Sequence, residues 1–153
     1  MPDCELCQIV VSGDPVIWRG KHWLVRLAND QGYLGRCMVI ALRHTENLSD
    51  LSTEEWTELH SVIQKLEDII KADFGAKMFN WTSLMNDAFK SDDPHPHVHF
   101  HVWPRYDKDV DVAGEKFIDP NFGHHYDKKH QYKVSAEVRQ AIMDRLKEQI
   151  DAN

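Results

Sequence analysis

The chain has 153 residues, 42% of them hydrophobic and 28% charged, with a formal net charge of −7, which suits one globular domain with a sizeable core. The excess of carboxylates excludes broad, sequence-independent duplex binding, so no nucleic-acid partner is expected, but a small phosphorylated ligand needs only a local site. No apolar run approaches the ~20 residues of a membrane span, no basic-then-apolar leader opens the chain, and three cysteines suit no secreted disulfide framework, so no membrane partner and a cytoplasmic location are expected.

Residues 4–11 read as a short helix or turn, stopped near Ser12-Gly13-Asp14-Pro15. Residues 16–18 and 22–27 are plausible strands joined at Gly20-Lys21, and Asn29-Asp30-Gln31-Gly32 is turn chemistry. Residues 36–42 look like a buried strand. Ser52 with Glu55 three residues on forms a capping box. Behind it, Trp56, Leu59, Val62, Ile63, Leu66, Ile69, Ile70 and Phe74 recur at helical spacing, with Gly75 at the C-cap position. Residues 78–84 alternate like a strand, and residues 86–94 form a polar loop. Residues 107–133, rich in Asp, Lys, Gly and His, carry no assignable pattern. Val138, Ile142, Leu146 and Ile150 mark a last amphipathic helix with Ser135 as its N-cap. The sum is an α+β domain, mainly antiparallel sheet with one long helix and a C-terminal helix.

The chemistry concentrates in His95-Pro96-His97-Val98-His99-Phe100-His101-Val102-Trp103-Pro104-Arg105. On a strand, His97, His99 and His101 share one face while Val98, Phe100 and Val102 share the other, and Pro96 and Pro104 bracket the run. Three uses compete. The row is a tag-like cluster on a solvated strand, which the apolar alternation argues against. It is a metal centre, which usually wants a further ligand that this strand does not supply. Or it is a nucleophile at phosphorus: a neutral imidazole attacks well, and neighbouring imidazoles discourage each other's protonation.

His97-Val98-His99-Phe100-His101-Val102-Trp103 resembles the signature of the histidine triad (HIT) family, His-φ-His-φ-His-φ-φ with φ apolar. The resemblance covers residues 4–106, with a Cys-x-x-Cys at Cys4 and Cys7, a Gly35-Arg36-x-x-Val-Ile strand and an Arg43-His44 turn. It implies a HIT-like core over residues 1–106, with residues 107–153 as an extension packed on the same domain. It also implies a homodimer and a purine nucleotide substrate. His99 would attack the α-phosphorus to give a nucleotidyl-histidine, and His101 would contact phosphate oxygens and help the leaving group depart. Asn86 falls where the family places an amide facing the phosphates, Asn29 where it binds the ribose hydroxyls, and Leu6 and Leu27 where it lines the base pocket. Histidine rather than Gln at 101 favours hydrolases over transferases. The class implied is a hydrolase of dinucleoside polyphosphates or related conjugates. A purine nucleoside phosphoramidase, a nucleotide-binding regulatory module and a metal-dependent hydrolase are the alternatives.

Some family members hold a structural zinc with such a cysteine pair and two histidines, which here are Cys4, Cys7, His44 and His97. A closed Cys2His2 set is structural, not catalytic. No organic cofactor is expected. The chain departs from the family at Asp93-Pro94, where many members have Gln followed by Ser or Thr. Asp93 puts an acceptor at the substrate where a neutral donor is usual. His95 has no family role, Cys37 reads as core, and His124, His125 and His130 read as a solvated loop.

Overall fold

The computed structural model describes residues 3–12 and 16–152. A first helix, α1 (Glu5–Ser12), precedes the strands β1 (Val16–Arg19), β2 (Trp23–Leu27) and β3 (Cys37–Ala41). The helix stop expected at Gly13-Asp14-Pro15 lies outside the described residues. The long helix α2 (Thr53–Phe74) follows, then β4 (Met78–Thr82) and β5 (His99–Arg105). One sheet runs β1-β2-β3-β5-β4, antiparallel at every pair.

The start of α2 is built as its sequence implies. The Ser52 Oγ accepts the Glu55 N–H at 3.2 Å, and the Glu55 carboxylate accepts the Ser52 N–H at 2.7 Å. Arg43 closes on the same buried carboxylate with two bonds of 3.0 and 2.9 Å. Gly75 ends the helix at φ 78°, a conformation that costs glycine little.

The sheet has two unlike faces. On one, Trp23, Val25, Leu27, Val39 and Val102 pack against Leu59, Val62, Leu66, Ile69 and Ile70 of α2 in a single core. On the other, Leu24 and Ile40 meet Val10 of α1, and Leu6, Ile9 and Met38 border that smaller cluster. Strand alternation then puts Arg26, Met38, His99, His101 and Trp103 on this second face.

Two sequence expectations change here. The strand begins at His99, not His97; residues 97–98 instead tie to the β3 end, with Val98 N–H bonded to Thr45 O and Val98 O to Ala41 N–H. Pro104 lies within β5 rather than after it. Arg105 O accepts from Lys77 N–H on the β4 side, so the Pro104 nitrogen faces the other side. There β3 has already ended at Cys37, opposite Val102. The missing N–H therefore costs no ladder bond.

Residues 107–133, unassigned from sequence, contain a hairpin of β6 (Val110–Val112) and β7 (Glu115–Phe117). Its two-residue turn puts Ala113 at φ 49° and Gly114 at φ 83°, so the usual Asn-Gly or Asp-Gly signal is missing. Val112 and Phe117 enter the main core, as do Val138, Ile142, Leu146 and Ile150 of the last helix, α3 (Ala136–Ala152). Ser135 Oγ accepts from Val138 N–H at 3.2 Å at the head of α3. No helix among the described residues is long and apolar enough to cross a membrane.

Candidate active site and metal centre

The second face of the sheet is the floor of a cleft of about 630 Å³. Leu6 and Ile9 of α1 form one wall, and Leu84, Met85, Asp87 and Ala88 from the loop after β4 form another. His99, His101, Arg26, Met38 and Arg36 line it from the sheet. Register explains the grouping: Met38 is opposite His101 and Ile40 opposite His99, while Arg26 is opposite Met38.

His99 is oriented from behind. Its Nδ1 lies 2.8 Å from the His97 carbonyl oxygen, so that nitrogen carries the proton and donates it. Nε2 is left with its lone pair, 3.2 Å from His101 Nε2. Burial pushes the His99 pKa down, opposed by the bond to the His97 carbonyl and by Asp87. The His101 imidazole is pushed down to about 4, chiefly by burial, with His99, Arg36 and Lys128 adding to the effect. Both rings are neutral near pH 7. A neutral imidazole whose free nitrogen opens on a cleft, with its other nitrogen anchored, is arranged as a nucleophile.

The remaining histidine of the motif faces elsewhere. His97 Nε2–H donates to Ala41 O at 2.8 Å, which leaves its Nδ1 lone pair 3.3 Å from Cys4 Sγ and 3.5 Å from Cys7 Sγ. His44 Nδ1 lies 3.4 Å from Cys7 Sγ. The ligand atoms of these four residues all fall within 4.8 Å of one another. Sulfur at about 2.3 Å and nitrogen at about 2.0–2.1 Å from a tetrahedral ion would stand roughly 3.5 Å apart, so the observed spacings fit. The bond from His97 to Ala41 is also the outer contact that metal-binding imidazoles need to fix their tautomer. Burial raises the Cys4 thiol pKa, and the four ligand atoms that converge here form a donor set suited to a soft divalent cation.

The other sequence-predicted residues divide. Leu6 lines the cleft, as does Asn29 at its edge, where Arg139 lies 3.5 Å from the Asn29 Oδ1. Asp93 is at the rim, its exposed carboxylate 3.3 Å from His95 Nε2. Leu27 does not line the cleft: it is wholly buried in the core against α2, because β2 alternation sends Arg26 to the cleft face instead. Asn86 is exposed at the start of a 3-10 turn, Asn86–Lys90, whose Asp87 and Ala88 reach the cleft in its place. Sequence reasoning missed Arg26, Arg36 and Gln131. The phase of Arg26 with Leu24 in β2 was the available signal; Arg36 and Gln131 come together only through the fold.

The sequence pattern of the HIT domain matches residues 11–108. The chain belongs to the HIT family. That family includes nucleotide hydrolases and transferases. Among its relatives, the HIT protein of Bacillus subtilis is 27% identical over 108 residues, covering 69% of this chain and 73% of that one. Solved structures share the HIT fold, two of them as follows. One is a hypothetical histidine triad nucleotide-binding protein from Sulfolobus tokodaii, with a TM-score of 0.67 and 17% identity, covering 97% of this chain and 93% of that one. The other is a Zn-bound HIT-family protein from Mycobacterium smegmatis, with a TM-score of 0.61 and 20% identity, covering 99% of each chain.

Proposed function

We propose that this HIT protein is a nucleotide hydrolase that transfers a nucleotidyl group to water through His99. The observation that carries the reading is the His99 ring, anchored by Nδ1–H to the His97 carbonyl at 2.8 Å and open to the cleft at Nε2. The Nε2 lone pair forms a bond to the α-phosphorus. The bond from phosphorus to the leaving group breaks, and its electron pair departs with that group. The His97 carbonyl accepts a hydrogen bond from the cationic ring of the intermediate. His101 turns its Nε2–H from His99 to a phosphate oxygen, a donor aimed where charge is carried. Water then attacks phosphorus, the pair of the N–P bond returns to Nε2, and the water's proton leaves to solvent.

The nucleoside would lie against Leu6 and Ile9, with Asn29 at its ribose. Substrates are dinucleoside polyphosphates or related nucleotide conjugates, and the working form is a homodimer. Cys4, Cys7, His44 and His97 would hold a structural Zn²⁺; a protein of the same fold is Zn-bound. That ion would cross-link α1 to the ends of β3 and β5, and it takes no part in the reaction.

The test is trapping. The protein is mixed with a nucleotide labelled at the α-phosphate and quenched in base, and an acid-labile, base-stable label on the protein is expected. His99→Ala should lose the label and lower turnover by at least about a thousandfold. A variant that labels as well as the parent would remove the nucleophile assignment.

A further inference from the structure

The cations in the cleft are unevenly placed. Arg36 lines the cleft together with His99 and His101, and Arg36 and Lys128 both act on the His101 ring, while the Asp87 carboxylate bears on His99 and His101 alike. Register places Arg36 past His101, along the strand from the attacking nitrogen, since Met38 is opposite His101 and Cys37 opposite Val102. Arg36 sits just before β3, in the row beside Trp103, and its guanidinium carbon is 3.6 Å from the centroid of the Trp103 ring.

Arg36 is built into its place. The turn before it is knotted by the buried Gln31, whose amide donates to Ala28 O and Arg36 O, both at 2.9 Å, and accepts the Gly35 N–H at 2.9 Å. One edge of the guanidinium is paired with Asp30, which itself accepts the N–H groups of Gly32 and Tyr132 at 2.9 and 2.8 Å. Its Nε is buried and has no hydrogen-bond partner. A guanidinium stacked, paired on one edge and left with an unused donor is held ready to receive an oxyanion. Gln131 lines the cleft from the same C-terminal segment that supplies Lys128.

We propose that Arg36, assisted by Lys128, holds the leaving group and selects substrates whose leaving group is itself a phosphate chain. This rests on the hydrolase reading above and names the side of the scissile bond that the arginine serves. Phosphate next to the attacked phosphorus passes His101 and reaches the free donor of Arg36. The bond between the attacked phosphorus and the bridging oxygen then breaks, and the departing oxygen keeps the pair, its charge met by Arg36 and Lys128. A neutral leaving group such as an amine makes neither contact.

The test compares one nucleoside with two leaving groups. Kcat/KM is measured for a diadenosine polyphosphate and for adenosine 5′-phosphoramidate, on the zinc-loaded full chain and on Arg36→Gln. The loss on the polyphosphate is expected to exceed the loss on the phosphoramidate by about tenfold or more. Lys128→Gln, an exposed change that leaves the fold alone, should show the same bias at about two- to threefold, fading with added salt. Equal losses on the two substrates would overturn the assignment.

If the parent hydrolyses neither substrate, the hydrolase reading fails, and calorimetry with inorganic tripolyphosphate and with AMP still decides the role of Arg36. Tripolyphosphate binding weakened by Arg36→Gln about tenfold more than AMP binding supports the subsite; equal weakening overturns it. Should Arg36→Gln not fold, Arg36→Lys, which keeps the charge and loses the fork, carries the same comparison.

Discussion

The two faces of the five-stranded sheet are made from the same strands and obey opposite rules. Toward α2 and α3, every inward position from Trp23 to Val102 is closed by an apolar neighbour, and Trp23 hides its one polar atom by donating to Glu55 O at 2.8 Å. Toward the cleft, buried polar atoms of lining residues stand without protein partners, among them Arg36 Nε and His101 Nδ1. Unsatisfied groups of this kind each cost stability, and they are retained where a ligand will meet them. One face holds the fold, and the other is left unfinished for chemistry.

The sharpest break in that comparison is at the Cys4, Cys7, His44 and His97 corner, the part of the cleft side that would act structurally. Cys4→Ser/Cys7→Ser should lose the bound zinc by elemental analysis and lower the melting temperature by about 10 °C or more. Chelation of the parent should do the same. Unchanged melting in both would mean that this corner holds no structural ion. On the helix face, Leu66→Ala should cost about 2–5 kcal/mol in denaturant unfolding, with turnover per folded molecule retained.

Acid should act on the cleft face. The His101 pKa is depressed from 6.5 in the unfolded chain to about 4 in the folded one, so between those values the unfolded chain binds the proton and the folded one does not. Its contribution is therefore complete above about pH 6.5 and is lost as pH falls through about 4. Unfolding measured across that window should show a shallower acid slope in His101→Gln than in the parent. The smallest effect belongs to Ser52→Ala, which removes one side of the capping box and should cost about 1 kcal/mol with no change at the cleft.

Local signals were the readable ones. The capping box and the Gly75 cap act within a few residues and are found where the sequence implies, whereas the alternation holds only from His99 onward, with His97 lying before the strand. Strand β2 was harder: all five of its residues are buried, so hydrophobic alternation is weak and only the phase of Arg26 with Leu24 tells which of Arg26 and Leu27 faces the cleft. The Ala113-Gly114 turn lacks the residue pair that announces such hairpins. The cluster of Cys4, Cys7, His44 and His97 could be read only through family resemblance, since Cys4 and His97 are brought together across 93 residues. Arg36, though part of the Gly35-Arg36 pattern, carries no local mark of a place in the cleft, because its stacking on Trp103 arises only through the fold.

Arg105 has a consequence for where this protein can be divided. It is fully buried, paired with Asp119 at 2.6 Å and bonded to the carbonyls of Asn121 and His124 at 2.7 and 2.8 Å. The residues matched to the HIT domain end at 108, short of these three partners, and include only a fourth, Asn80, whose Oδ1 accepts from Arg105 at 3.0 Å. A chain cut at that boundary would keep every motif histidine and strand a guanidinium in the interior, a loss of about 3–5 kcal/mol for the broken pair alone. The inherited pattern is thus shorter than the piece of polypeptide that must fold to express it, and grafting or shuffling at its edges would have to carry Asp119 along.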